Sequence, residues 1–275
     1  MLGTVAWSPR PLAYPLARLY TKLFDVMIPR LRNVALRNLD LSGMPVSCAD
    51  EVYRSIARML VSFARFPRIR RESISSLIRY EGFEHFEEAL RRGKGVLFAT
   101  GHLGNWELSA FAHAFMAAPM HVVVRPLDNP LIDALVERYR SLSGNQILSK
   151  RDFVRPMLKA LQRNEAVGIL VDQNAALGEG VFVDFFGHKA CVSPSFAKLA
   201  ARTGATVIPG FAVWNEAEHR YVLKFYPPVE ITGDAEADTQ RIQSALETAI
   251  RQHPGEWLWL HRRWKTRPAG EKDIY

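Results

Sequence analysis

The sequence predicts an α/β fold, in which a mostly parallel mixed sheet is covered by helices and preceded by an N-terminal helical segment. From residue 81 onward, short apolar stretches of strand length alternate with longer stretches of helical periodicity, the pattern of consecutive βαβ units. Before residue 81, apolar residues recur only at helical spacing. We therefore divide the chain into a basic helical segment (1–80), an α/β domain (81–268) and a tail (269–275).

The N-terminal segment contains two predicted amphipathic helices. In the first, over residues 11–29, Arg18, Lys22 and Asp25 share one face and leucines occupy the other. This helix either associates with a membrane interface or packs its apolar face on the main domain, and both arrangements can hold at once. The sequence has no stretch of about 18 uninterrupted apolar residues, so a membrane-spanning helix is not predicted. The second helix covers residues 51–66.

The elements of the α/β domain follow in order from residue 81. Apolar runs bounded by glycine, proline or polar residues predict its strands, and the periodic stretches between them predict its helices. The final strand can run antiparallel to its neighbour. The predicted helices cover residues 83–92, 105–118, 130–142, 152–163, 194–203 and 239–252, and the predicted strands cover residues 95–100, 121–124, 145–149, 166–171, 206–213 and 221–226.

Composition excludes several classes of protein. With 275 residues, 48% of them hydrophobic, the chain can bury a sizeable core. Cys48 and Cys191 are the only cysteines, too few for a disulfide or zinc framework. The histidines lack the spacing of a metal site, so no metal and no other cofactor is predicted. The G-x-S-x-G motif is absent, which argues against a serine hydrolase.

The charge of the chain is unevenly distributed. Residues 1–80 contain 13 Lys and Arg against 5 Asp and Glu, a net charge of +8. Residues 81–275 contain 23 of each and are neutral overall. A localised basic surface indicates an anionic partner, such as lipid headgroups, an acidic protein or nucleic acid. Alternatively, the charge serves only solubility.

A histidine and a glutamate mark the end of the first strand of this domain. His102 and Glu107 follow the apolar run 96–99 in the pattern H-x-x-x-x-E, where the strand passes into a helix. Gly101 and Gly104 allow a sharp turn, so Glu107 can reach one imidazole nitrogen and leave the other free to take a proton. We predict this pair to be catalytic. Alternatively, His102 caps a turn and Glu107 only favours the helix N-terminus.

Further polar residues are expected at the same sheet edge, because the carboxyl ends of parallel strands meet there. Arg125 follows a strand and can hold an oxyanion or a substrate phosphate, or form a surface ion pair. Asp172 and Gln173 follow another strand and are expected to shape the pocket rather than react. Asn105, the predicted N-cap of the helix after His102, completes the group of candidate substrate-binding residues.

The C-terminal region interleaves tryptophans with basic residues. Arg262, Arg263 and Lys265 are candidates for contacts with a lipid headgroup. Trp257 and Trp259 are expected to pack on the core from a C-terminal strand.

Four ordered motifs resemble the late lauroyl and myristoyl acyltransferases of lipid A biosynthesis, a branch of the lysophospholipid acyltransferase superfamily. The first motif contains His102 and Glu107 in the H-x-x-x-x-(D/E) pattern of that superfamily. The four together cover about residues 81–268. The motifs occupy residues 100–107, 124–130, 171–174 with 181–187, and 253–265.

The resemblance implies a glycerolipid acyltransferase-like fold and an enzyme that moves a fatty acyl group from acyl carrier protein to a hydroxyl of a glycolipid, similar to a lipid A precursor. It implies a peripheral or monotopic protein at the cytoplasmic face of the inner membrane, on an anionic surface, with no nucleic acid partner. In that mechanism His102 deprotonates the hydroxyl, Glu107 orients His102, and Arg125 or a backbone N–H stabilises the oxyanion. Two alternatives remain: an acyl-thioester hydrolase using the same pair, and a non-enzymatic basic lipid-binding module.

Overall fold

A seven-stranded sheet forms the centre of the molecule. The structure, a computed structural model, describes residues 2–149 and 153–275. The strand order is β1-β9-β8-β2-β5-β3-β4, and every neighbouring pair is parallel except β8 and β9. This confirms the predicted mixed, mostly parallel sheet. The strands are β1 Ile78–Glu81, β2 Val96–Thr100, β3 His121–Val124, β4 Gln146–Ser149, β5 Ala166–Leu170, β6 Val181–Phe185, β7 His188–Val192, β8 Thr206–Asn215 and β9 Arg220–Phe225.

Helices cover both faces of the sheet because its central strands are apolar on both sides. Phe98 of β2 packs with Phe111 on one face, and its neighbour Leu97 packs with Leu161 and Phe196 on the other. The helices are α1 Leu2–Trp7, α2 Arg10–Met27, α3 Pro29–Leu41, α4 Cys48–Ala64, α5 Glu84–Arg91, α6 Trp106–Met116, α7 Pro130–Ser141, α8 Val154–Gln162, α9 Ser195–Thr203 and α10 Ala235–Gln252. The predicted start of α8 at residue 152 lies outside the described residues.

The N-terminal helices pack on the domain through small side chains and leave larger ones exposed. Ala13 and Ala17 of α2 are fully buried with Ala57 and Ala64 of α4. The opposite side of α2 is apolar and open to solvent, so both predicted arrangements of this helix are compatible with the structure. No helix among the described residues is both long and apolar enough to span a bilayer. The exposed apolar residues of α2 are Leu12, Leu19, Leu23, Phe24, Val26 and Met27.

Helices α1 and α3 were not predicted, and three further features of the fold differ from the sequence prediction. The short strand β1 was not predicted, and it spans the predicted domain boundary at residue 80. Strands β6 and β7 form a separate antiparallel hairpin, turning at Phe186 (φ 53°) and Gly187 (φ 77°). The predicted C-terminal strand is wrong: residues 257–265 are irregular, with a single bridge from Trp257 to Leu103. Trp257 and Trp259 are nevertheless buried in the core, as expected.

Candidate active site

The turn between β2 and α6 places His102 at the carboxyl edge of the sheet. Gly104 adopts φ +67°, and a Cβ there would lie 2.0 Å from the carbonyl oxygen of Ala212, so only glycine fits. Asn105 then begins α6 as its N-cap, with its side-chain oxygen accepting from the Leu108 backbone N–H at 3.0 Å. The sequence prediction of a sharp turn followed by a capped helix is confirmed.

Asp172, which follows β5, is the carboxylate that contacts His102. Its Oδ1 lies 2.9 Å from Nδ1 of the imidazole, and its Oδ2 accepts from the His102 backbone N–H at 2.7 Å. The indole N–H of Trp257 donates to the same Oδ2 at 3.0 Å. Gly101 permits this approach, because a Cβ there would lie 3.2 Å from the Asp172 carboxyl group. The Asp172 side chain is therefore fixed from three directions.

Electrostatics favour a charged carboxylate beside an imidazole that binds protons readily. Burial alone would lower the pKa of His102, but the charge and hydrogen bonds of Asp172 outweigh it and raise the pKa above its usual value. Burial likewise opposes ionisation of Asp172, yet His102 and the two N–H donors hold its pKa below its usual range. With Nδ1 bonded to Asp172, Nε2 of His102 has no protein partner within residues 2–149 and 153–275.

Glu107 does not contact His102, which corrects the predicted pairing. Its carboxylate forms two hydrogen bonds with Arg140 of α7, from Nε at 2.9 Å and from Nη2 at 2.5 Å. The physical reason is the position of Glu107 in the first turn of α6, where its side chain is directed to Arg140 of α7. Glu107 still raises the pKa of His102 through its charge, and Arg140 lowers it. Glu107 therefore does not orient the imidazole by direct contact, as the sequence prediction required.

Three other predicted residues occupy the expected edge in different environments. The Asn105 side chain is buried, and its amide donates to Ser62 Oγ at 2.8 Å, so it serves structure rather than a substrate. Gln173 is exposed beside Asp172. The side chain of Arg125 is 76% exposed, 3.9 Å from Asp128, as in the predicted surface ion pair.

The C-terminal basic residues divide into one buried and two exposed side chains. Arg263 is fully buried, where it donates to the Cys191 carbonyl oxygen at 3.2 Å and to Gln243 at 3.1 Å. The expectation that Arg263 faces a headgroup is therefore wrong, because its guanidinium links the hairpin to α10. Arg262 and Lys265 are exposed and remain candidates for such contacts.

An apolar cavity of about 70 Å³ begins beside the turn that carries His102 and extends between the sheet and α6. Thr100, Trp106 and Glu107, which flank His102, contribute to its wall, and Arg140 does too. The rest of its lining is mostly hydrocarbon and aromatic ring. Those residues include Phe98, Ala110, Met120, Val122, Leu170 and Phe225. Its apolar lining suits part of a hydrocarbon chain.

The residues described do not contain a cluster of three or more His, Cys, Asp or Glu side chains placed to hold a metal ion. The site thus consists of a His–Asp pair and a neighbouring Glu–Arg pair at the carboxyl edge of the sheet, and of an apolar cavity that extends from this edge along the face of the sheet.

The chain is similar in sequence to known bacterial acyltransferases. The sequence profile of the bacterial lipid A biosynthesis acyltransferases matches residues 1–266. The chain is 29% identical to the lipid A biosynthesis lauroyltransferase of Escherichia coli K12 over 100% of this chain and 92% of that protein. It is 24% identical to a lipid A biosynthesis acyltransferase of Haemophilus influenzae, covering 82% of this chain and 71% of the relative. It is 28% identical to the phosphatidylinositol mannoside acyltransferase of Mycobacterium tuberculosis, over 80% and 70%.

Proposed function

Because the chain belongs to the bacterial lipid A biosynthesis acyltransferase family, we propose that it moves a fatty acyl group from an acyl carrier protein thioester to a hydroxyl of a lipid A precursor-like glycolipid. We place this reaction at the cytoplasmic face of the inner membrane. Family membership makes the protein an enzyme that transfers acyl groups, with a lipid A-like acceptor. This excludes the non-enzymatic binding module.

The observation that carries the proposed mechanism is the pair formed by His102 and Asp172. Asp172 holds Nδ1 at 2.9 Å and leaves Nε2 as the proton acceptor. Nε2 removes the proton of the acceptor hydroxyl, and the alkoxide attacks the thioester carbonyl carbon. The tetrahedral intermediate then expels the thiolate, which takes that proton back from the imidazolium. No covalent acyl-enzyme forms in this sequence of steps.

Glu107 and Arg140 support the same step without touching the imidazole. The Glu107 charge raises the pKa of His102, and the Arg140 charge opposes this by lowering it. The side chains are 13% and 20% exposed, and both contribute to the wall of the apolar cavity. We assign them to positioning the acyl donor at the entrance of that cavity, while the hydrocarbon chain occupies its interior.

The charge and shape of the N-terminal segment support membrane association. The net charge of +8 within residues 1–80 suits an anionic lipid surface and an acidic carrier protein. The exposed apolar side of α2 can be buried among lipid chains while its basic residues remain at the headgroup level. Arg125, Arg262 and Lys265 remain candidates for contacts with the acceptor headgroup.

Purified protein with acyl carrier protein thioester and a lipid A precursor tests the proposal. Transfer should depend on His102, so that His102→Ala reduces turnover by at least about 10²-fold while the fold is retained. Full activity of His102→Ala would contradict the mechanism. Thioester breakdown at the same rate with and without acceptor would instead identify a hydrolase.

A further inference from the structure

A second cavity lies between the N-terminal helices and the sheet, and its wall is strongly basic. It has a volume of about 930 Å³. Four arginines line it, whereas Glu216 is the single acidic residue among its described lining residues. The carboxylate of Glu216 already accepts the indole N–H of Trp214 at 2.6 Å. The lining arginines are Arg10, Arg58, Arg65 and Arg68.

The positive charge of this cavity is only partly balanced by the surrounding protein, where the charge of Arg58 acts on the nearby carboxyl group of Glu256. None of the four guanidinium groups forms an ion pair with a carboxylate of the described residues; Arg65 and Arg68 instead donate to the backbone carbonyls of Ser8 and Ala6. The Nε donors of Arg58 and Arg65 are buried without any hydrogen-bond acceptor in residues 2–149 and 153–275. A ligand in the cavity would reach these two donors only if the side chains turned toward it.

The cavity shares the sheet edge with His102. Strand β8 runs parallel to β2, so Trp214 near its end lies at the carboxyl edge, and Tyr221 at the start of the antiparallel β9 lies there too. Strand β8 lies directly beside β2, so the cavity borders the strand next to the one that leads into the turn with His102. Ser62, which lines the cavity, accepts a hydrogen bond from the Asn105 amide, and this bond links the cavity wall to the turn that carries His102.

The cavity also adjoins the apolar surface of the N-terminal helices. Trp7, which is 80% exposed, and Arg10 lie at its rim, where α1 joins α2. The Arg68 guanidinium stacks over the Trp7 ring, 4.3 Å from its centroid. A lipid that kept its chains beside α2 would therefore bring its headgroup to the four arginines.

We propose that this cavity binds a phosphate monoester on the headgroup of the acceptor glycolipid, with the acylated hydroxyl presented to His102. Guanidinium groups suit phosphate because their planar N–H donors match its oxygens. That the phosphate belongs to the acceptor rests on the proposed function. That the cavity binds a phosphate does not depend on it.

Binding of a short-chain lipid tests the phosphate site without any acyl transfer. The probe is dihexanoyl phosphatidic acid, and its matched control is dihexanoylglycerol, which lacks only the phosphate. Fluorescence of the cavity tryptophans reports the affinity. We expect Arg58→Gln and Arg10→Gln each to weaken binding of phosphatidic acid by about tenfold. Arg54→Gln, the same change on the exposed side of α4, should leave it unchanged.

Kinetics with the acceptor distinguish the source of the phosphate. In both cavity variants the KM for the phosphorylated acceptor should rise about tenfold, while kcat and the KM for the enzymatically dephosphorylated acceptor remain at the wild-type values. If the variants reduce affinity for anionic vesicles but leave the acceptor KM unchanged, the headgroup is that of surrounding phospholipid and the acceptor assignment is wrong. Equal wild-type affinity for the two short-chain lipids overturns the phosphate site itself, whatever the enzyme acylates.

Discussion

Arg140 of α7 binds both carboxylate oxygens of Glu107, a residue 33 positions earlier in the chain. The H-x-x-x-x-E pattern assigns the Glu107 carboxylate to the histidine, but in the structure that carboxylate is paired with Arg140. The pair lies at the apolar cavity, and its two charges act on the pKa of His102 in opposite directions. Glu107 and Arg140 therefore act as one unit, and removing either charge exposes His102 to the other.

We expect Glu107→Gln to reduce both stability and activity. Arg140, only 20% exposed, would keep its charge without a partner, which costs about 1–3 kcal/mol in free energy of unfolding. Its unbalanced charge would also lower the pKa of His102. Adding Arg140→Gln to this variant should restore stability more than activity, as thermal melting and turnover can show. If Glu107→Gln melts at the same temperature as the wild-type protein, the pairing of Glu107 with Arg140 is contradicted.

The pH dependence of transfer should reveal the Asp172 charge. The neutral imidazole is the active base, and Asp172 raises the pKa of His102, so wild-type activity should decline as pH falls through a value above about 6.5. In Asp172→Asn the imidazole loses a proton more readily, and this acidic limb should move to lower pH. Turnover at its maximum should also fall by about 10²-fold or more, since the imidazole loses its orientation. If the acidic limb of the Asp172→Asn profile lies at the same pH as that of the wild-type protein, Asp172 does not act on the pKa of His102.

Gly101→Ala should impair catalysis with little loss of stability. The added Cβ would lie 3.2 Å from the Asp172 carboxyl carbon and 3.1 Å from Leu246 Cδ1, so the carboxylate must shift. We expect turnover to fall by about tenfold, because small displacements of catalytic groups have large effects on rate. Gly3→Ala is the matched control, since nothing lies within 4 Å of a Cβ there. Equal activity of the two variants would argue against tight packing at Gly101.

Substitutions on the exposed side of α2 should weaken membrane binding. Leu19 and Leu23 are 52% and 49% exposed and contribute to its apolar surface. Replacing both by Glu should reduce affinity for anionic vesicles by at least about tenfold. Leu177→Glu, at a loop position that is 73% exposed, should have little effect. Raising the salt concentration should weaken binding of the wild-type protein to vesicles, as sedimentation can show. Binding that is insensitive to salt would contradict a contribution of the basic residues to membrane affinity.

Local sequence patterns were sufficient to predict most of the sheet, its helices and the catalytic turn. Strand β5 and Asp172 at its end were also predicted at the correct edge. The contact between Asp172 and His102 was not, because it depends on β5 lying directly beside β2, and strand order is decided by tertiary packing. An acidic residue directly after an apolar strand was the available signal.

Other parts of the site had weaker signals in the sequence. Arg140 lies in the middle of an ordinary amphipathic helix, and nothing local connects it with Glu107. The indole of Trp257 was predicted as core, which is correct, but its N–H also serves Asp172. The hairpin of β6 and β7 was missed although the alternating apolar residues 181–185 and the glycine at 187 are typical of one.

The bond from Trp257 to Asp172 makes completion of the site a late event in synthesis. A nascent chain that has emerged only as far as α10 already contains the imidazole, its acid and every strand of the sheet. It still lacks the indole that fixes the carboxylate, and it lacks the backbone oxygens of Trp259 and His261 that receive the Asn38 amide. The site is therefore complete only when the tryptophan-rich stretch has packed against both Asp172 and Asn38.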